Sequence, residues 1–156
     1  LKVGNATSLL FENNSFDIVF SGDFFEHIDK ATKAEVIKES YRVLKPGGIM
    51  VIKTPNLSYL RIAILLKRIK LLMRFKNPLV YIKHTRNNPD NEHFGLTTNS
   101  ELREIINDTF FHSPEILMVP LGRKIPNFIE NVINKFSWGN ETIILVARKA
   151  VFVNFN

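Results

Sequence analysis

The sequence predicts an α/β fold built on a largely parallel sheet, and three observations in one stretch predict it. Phe16 to Phe20 is a short run rich in β-branched and aromatic residues, the composition of a buried strand. Val36, Ile37, Tyr41 and Leu44 then recur one helical turn apart, with Lys45 in the last turn and Pro46-Gly47-Gly48 as a stop. Ile49 to Ile52 is wholly apolar, as a strand covered on both faces should be. Strand, helix and strand in succession form a βαβ unit whose crossover is right-handed by the usual rule.

The other elements follow in chain order. Leu1 to Val3 reads as a strand stub, Gly4-Asn5-Ala6 as the turn after it, and Asn13-Asn14-Ser15 as a turn into the strand at Phe16. Asp29 or Thr32 is positioned to cap the helix that runs to about Leu44. Thr54-Pro55-Asn56 ends the second strand, since proline cannot donate to a continuing ladder. From Ser58 to Lys76, Ile62, Leu65, Leu66, Ile69, Leu72 and Met73 recur at helical spacing, with Lys67, Arg68, Lys70 and Arg74 on the other side. Residues 83–92 are a polar loop, Thr98 or Asn99 starts a helix through Asp108, and Glu115 to Val119 is a strand. Pro126 to Phe136 has an apolar helical stripe, Thr142 to Arg148 is a last apolar strand, and the tail from Ala150 carries no readable role. The whole is one domain, residues 1–156, with a basic helical insertion at about 57–92.

Composition narrows the function classes. A length of 156 residues with 45% hydrophobic content, including thirteen phenylalanines, suffices for one real core. The absence of cysteine excludes disulfides, zinc–thiolate sites and a cysteine nucleophile, and it fits a cytoplasmic chain. No apolar run is long enough to span a bilayer. The net charge of +6 is concentrated: eleven basic residues and no acidic one lie between Ser40 and Pro89. Outside that window ten basic residues are outnumbered by all fifteen acidic ones. A basic amphipathic helix there suits either a solvated face packed on the domain or a peripheral contact with anionic membrane through Lys67, Arg68, Lys70 and Arg74. Stacking aromatics are too few to favour nucleic acid.

Ligands of parallel sheets sit beyond the carboxyl ends of the strands. Here those ends are Ser21 to His27 and Thr54 to Asn56, and the first holds two carboxylates and a histidine. Glycine at Gly22 allows close backbone approach. His84 and His93 make no metal pattern with nearby carboxylates in the sequence, so no metal is expected.

Several ordered motifs resemble class I S-adenosylmethionine-dependent methyltransferases of the small-molecule type. They are Phe16-Asp17-Ile18-Val19, Glu26-His27, Arg42-Val43-Leu44-Lys45-Pro46-Gly47-Gly48 and Thr54-Pro55-Asn56, followed by His93-Phe94-Gly95-Leu96-Thr97, Glu101-Leu102 and Phe110-Phe111. The resemblance covers the chain to about Lys149. It implies a Rossmann-like sheet with helices on both faces and an antiparallel last strand, and S-adenosylmethionine as cofactor. It places Asn5 by the adenine and the backbone around Ser21 and Gly22 along the methionine part, with Ala6, Asp23, Glu26 and His27 among the cofactor-binding residues. His27, as general base or as a brace for the loop, and His93 at the mouth of the site are the candidate catalytic residues. Asn5 is equally readable as an Asx turn.

The family's glycine-rich turn and acidic ribose clamp have no counterpart here, so the resemblance implies a chain that lacks the first two βα units and is inactive alone. Methyl transfer to a small or lipid-linked acceptor is the leading expectation for the full-length protein. The rivals are a membrane- or polyanion-binding module on a degenerate methyltransferase fold, and an inactive fragment.

Overall fold

In the computed structural model, residues 3–80, 93–119 and 141–151 are described. The strand β1 (Phe16–Gly22) runs parallel to β2 (Leu44–Pro55), and α1 (Lys30–Val43) crosses between them. Asp29 is the cap of α1, accepting a hydrogen bond from the Thr32 N–H at 2.8 Å. The helix stops one residue before the predicted limit, and Leu44, fully buried, is already paired with Phe16. The strand therefore starts five residues earlier than Ile49. The register jumps from Phe16↔Leu44 to Ile18↔Ile49, so Pro46-Gly47-Gly48 bulges out of the pairing. Gly47, at φ +80°, takes a conformation that a side chain would strain.

Two further strands complete the sheet. β3 (Phe111–Val119) and β4 (Thr142–Lys149) give the order β1-β2-β4-β3, with β4 antiparallel to both neighbours. The antiparallel last strand agrees with the expectation. β3 begins earlier than Glu115 because a register shift between His112 and Glu115 lets the pairing pass Pro114. Between β2 and β3 lie α2 (Leu57–Leu72) and α3 (Asn99–Asn107). A complete capping box at Thr98 and Glu101 starts α3.

The core lies on one face of the sheet. Met50 and Ile52 of β2 are paired with Ala147 and Leu145 of β4, and all four are buried under Val36 and Ile37 of α1 and Leu102, Ile105 and Ile106 of α3. Alternation sends Ile18, Phe20, Val51, Ile144 and Leu117 to the opposite face. There Ile18 and Phe20 remain 62% and 66% exposed, and among the described residues β1 has a strand partner on one side alone. Val3 is exposed and outside any strand.

Much of the apolar stripe of α2 is open: Leu57 is the one buried residue of the helix and Ile62 is partly buried, while Leu65, Leu66, Ile69 and Leu72 are exposed, as are Met73 and Phe75 just beyond. No described helix is long and apolar enough to cross a membrane. The expected loop at 83–92, the helical stripe at 126–136 and the tail from 152 fall outside the described residues.

Candidate functional site

The carboxyl ends of β1 and β2 lie side by side, with Gly22 opposite Lys53. Asp23, at φ +51°, turns the chain out of the strand, and its carboxylate pairs with Lys53 Nζ at 3.0 Å in an exposed ion pair. The chain then closes a 3-10 turn, Phe25–His27, on which Phe25 and Glu26 point inward. Phe25, fully buried, anchors this turn in the core and so fixes where the two neighbours to its C-terminal side stand.

A second segment docks on that turn. Gly95 donates its N–H to the Glu26 carbonyl at 2.7 Å. A Cβ on Gly95 would lie 2.0 Å from the Ile28 carbonyl oxygen and 2.9 Å from that of Phe25, so only glycine permits this approach. From below, buried Lys33 of α1 donates to the Gly95 carbonyl and, at 3.3 Å, to Thr97 Oγ1. Thr97 in turn bridges to Asn56, and its carbonyl accepts from the Leu57 N–H at 3.0 Å. The buried floor of the site is thus polar: Glu26, Lys33, Thr54, Asn56 and Thr97 are all at most 3% exposed. Buried polar groups of this density need partners from one another or from a ligand.

Docking of the Gly95 segment carries His93 over His27. The two imidazoles are half-buried, their ring centroids 4.9 Å apart and tilted by 34°. With Glu26 they form a cluster in which one donor atom from each residue lies within 4.8 Å of the others. The Glu26 carboxyl group accepts from Thr54 Oγ1 at 3.4 Å, a long contact for a buried polar group. His93 also lines a cavity of about 240 Å³ with Pro55, Leu60, Leu96, Glu141 and Thr142. The expectation of no metal rested on sequence spacing, and the fold changes its basis: His93 meets a carboxylate and a second histidine that sequence distance had kept apart.

Of the residues expected around a cofactor, Ser21, Gly22, Asp23, Glu26 and His27 fall on this rim, together with His93. Asn5 and Ala6 do not share a hydrogen bond with them. Asn5 Oδ1 accepts from Thr7 N and Thr7 Oγ1, both at 3.0 Å, which is the Asx-turn reading, and Ala6 packs against the core. The segment that follows is tied to α1, through Leu9 N–H to Glu39 and the Leu9 and Phe11 carbonyls to Arg42. Lys33 and Gly95 were not anticipated as parts of the site. A lysine in the stripe Lys33, Val36, Ile37, Ser40 of an inward helix face was the available signal.

Ser21 offers the test of fit for a cofactor. Its Oγ is buried at the end of β1 without a hydrogen-bond partner among the described residues. Beside it Gly22 is exposed, with the Phe20 ring against the side where a Cβ would stand. An orphaned hydroxyl at the carboxyl end of a parallel strand fits a polar ligand seated there.

Comparison with known proteins gives the same direction. Residues 1–52 match the profile of a family described as "Methyltransferase domain". A "Probable S-adenosylmethionine-dependent methyltransferase" of Mycolicibacterium smegmatis is 34% identical over 56 residues, 36% of this chain and 21% of the relative. A "Demethylmenaquinone methyltransferase" of Leptospira interrogans is 43% identical over 51 residues, 32% of this chain and 20% of the relative. The chain therefore matches about a fifth of the length of these curated relatives. Among solved structures, a methyltransferase from Methanosarcina mazei superposes with a TM-score of 0.56 at 21% identity, over 97% of this chain and 67% of that one. One from Archaeoglobus fulgidus gives 0.57 at 18% identity, over 94% and 66%. The fold is that of S-adenosylmethionine-dependent methyltransferases, and S-adenosylmethionine is the cofactor these matches indicate.

Proposed function

We propose that this chain, which has the class I S-adenosylmethionine-dependent methyltransferase fold, forms the acceptor side of a methyl-transfer site on a small or lipid-linked molecule. The observation that carries the reading is the juxtaposition of the orphaned Ser21 hydroxyl with the Glu26, His27 and His93 cluster at the carboxyl ends of two parallel strands. When bound, S-adenosylmethionine supplies a methyl group on a sulfonium, an electrophile that needs alignment more than activation. Ser21 and the exposed Gly22 beside it would hold its polar end. His27 and His93 would flank the acceptor, orienting it and taking its proton where the acceptor has one to lose. Glycine-rich phosphate-type turns and an acidic ribose clamp belong to the other half of such a site. The activity is accordingly proposed for the protein as a whole rather than for this chain by itself.

The exposed stripe of α2 supports a lipid-linked acceptor. Five leucine, isoleucine and methionine side chains there are exposed, flanked by Lys67, Arg68, Lys70 and Arg74. That is the pattern of a helix lying in a membrane interface with its basic residues on anionic lipid.

Calorimetry tests the cofactor half of this reading. In a protein that joins this chain to a glycine-rich first βα unit, S-adenosylmethionine should bind, and Ser21→Ala should weaken binding about fivefold, the value of one ordinary hydrogen bond. Unchanged affinity in Ser21→Ala would move the cofactor away from this rim. Flotation with vesicles containing phosphatidylserine tests the acceptor side. Replacing Lys67, Arg68, Lys70 and Arg74 by Gln should cost roughly a thousandfold in partitioning, at about 1 kcal/mol per basic residue near an anionic surface. Wild-type protein that ignores such vesicles at low salt would remove the lipid reading.

A further inference from the structure

We propose that Glu26, His27 and His93 bind one divalent transition-metal cation at the mouth of the crevice. Two imidazoles and one carboxylate already present a donor atom each within 4.8 Å of one another. Around a tetrahedral ion at about 2.1 Å, such donors stand about 3.4 Å apart, so closing the site asks for side-chain adjustment without movement of the strands. The carboxylate has its own reason to take a cation. Glu26 is 2% exposed, and among the described residues its carboxylate receives a single long hydrogen bond, from Thr54 Oγ1 at 3.4 Å. A carboxylate buried this deeply with one long hydrogen bond has oxygen lone pairs to offer a ligand.

The backbone supports the same assignment. Adjacent ligands on a 3-10 turn are held in place by the fully buried Phe25. The third ligand arrives on a segment that Gly95 allows to touch the turn and that Lys33 ties down. Rigid placement of ligands from two segments is what a metal site requires of its scaffold. Imidazole nitrogen with carboxylate oxygen favours zinc, cobalt, iron or manganese over calcium or magnesium. Three protein donors leave coordination positions for water or for an oxygen of the bound acceptor. Only this last role rests on the methyl-transfer reading. The cation site itself does not.

Cobalt(II) is the probe, because its visible absorption reports both stoichiometry and ligand geometry. Titration of the metal-free 156-residue chain should saturate at one cobalt per chain, and zinc should displace it. His27→Ala and His93→Gln should each weaken binding at least about tenfold, since loss of even an outer-shell partner costs a metal site that much. His112→Ala should leave it unchanged: His112 is paired with Arg148, which faces Ile49 at the other end of the sheet. Far-UV circular dichroism shows whether each variant keeps its fold, and Glu26→Gln serves as an additional carboxylate-deleting variant. No saturable cobalt binding by the wild type overturns the proposal, as does undiminished binding by folded His27→Ala and His93→Gln. Because no S-adenosylmethionine is present, either failure is separate from a failure of the methyl-transfer reading.

Discussion

The two ends of the β1–β2 sheet pair differ in how completely their polar side chains are satisfied. At the amino end, Arg42 spends all five of its N–H donors within the chain, on both Glu39 oxygens, the Leu9 and Phe11 carbonyls and Asn13 Oδ1. Buried Lys149 likewise donates to Asn14 Oδ1 and to the Tyr41 and Leu44 carbonyls at 2.7–2.8 Å, with its ammonium over the Tyr41 ring. Lys45 reaches Asp17 across the surface. At the carboxyl end, the Ser21 hydroxyl has no partner among the described residues, the Glu26 carboxylate has a long one, and two imidazoles face each other. Short, saturated hydrogen bonds mark residues whose work is to hold the fold. Buried polar groups with long or missing partners mark a place kept ready for something else. The contrast also divides the motifs: Asp17, Arg42 and Lys45 are structural, whereas Glu26, His27 and His93 are the chemical candidates.

Substitutions sharpen that contrast in order of expected size. Lys149→Ala should be the most damaging, at about 3 kcal/mol in urea unfolding, because it strands the buried Leu44 carbonyl and the part-buried Tyr41 carbonyl and leaves a void beneath the ring of Tyr41. A loss below about 1 kcal/mol would show that the amino end is not the scaffold. At the other end, Gly95→Ala forces a Cβ against the Ile28 carbonyl and should cost about 2 kcal/mol. In that variant the His27 and His93 rings should also separate, seen as loss of the nuclear Overhauser contacts between them. A variant of wild-type stability with the contacts intact would mean that close approach at Gly95 does not hold the two rings together.

Acid brings out the smallest effect. Hydrogen bonding from Arg42 holds the Glu39 carboxyl below the ordinary value near 4.5, against the opposing influence of burial. A carboxyl depressed in the folded state stabilises the fold fully above its unfolded pKa and loses that contribution as pH falls through the folded value. Glu39→Gln should therefore be less stable than wild type at neutral pH, by about 1 kcal/mol. Below pH 4.5 the two should converge as the wild-type advantage is titrated away. Stability curves that stay parallel from pH 7 to 3 would detach Glu39 from the scaffold.

Much of the fold was legible in the chain because it depends on near neighbours. Phe16 to Phe20 and Ile49 to Ile52 are strands by composition, Asp29 and Thr98 cap helices by their own side chains, and Gly47 stands where a turn needs it. The polar ends of β1 and β2 also showed where a ligand would sit, since a parallel strand displays its carboxyl end to solvent. Boundaries were less legible: Leu44 and Phe111 joined their strands early, because cross-strand pairing with Phe16 and Lys149 overrode the local stop signals. The fate of the apolar stripe on α2 was not legible at all, for periodicity shows that a helix has an apolar face and not what covers it.

By itself, then, the sequence determined the βαβ unit, the order of elements and the rim residues from Ser21 to His27. Tertiary structure alone decided that Lys33, in an ordinary helical stripe, would bond Gly95 62 residues away, and that this contact would set His93 against His27 and Glu26. The physical reason is that periodicity, caps and turns act within a few residues, whereas the cluster depends on a close approach between distant backbones. Gly95 permits that approach through the absence of a side chain, and no local pattern announces which backbone will come to fill the space.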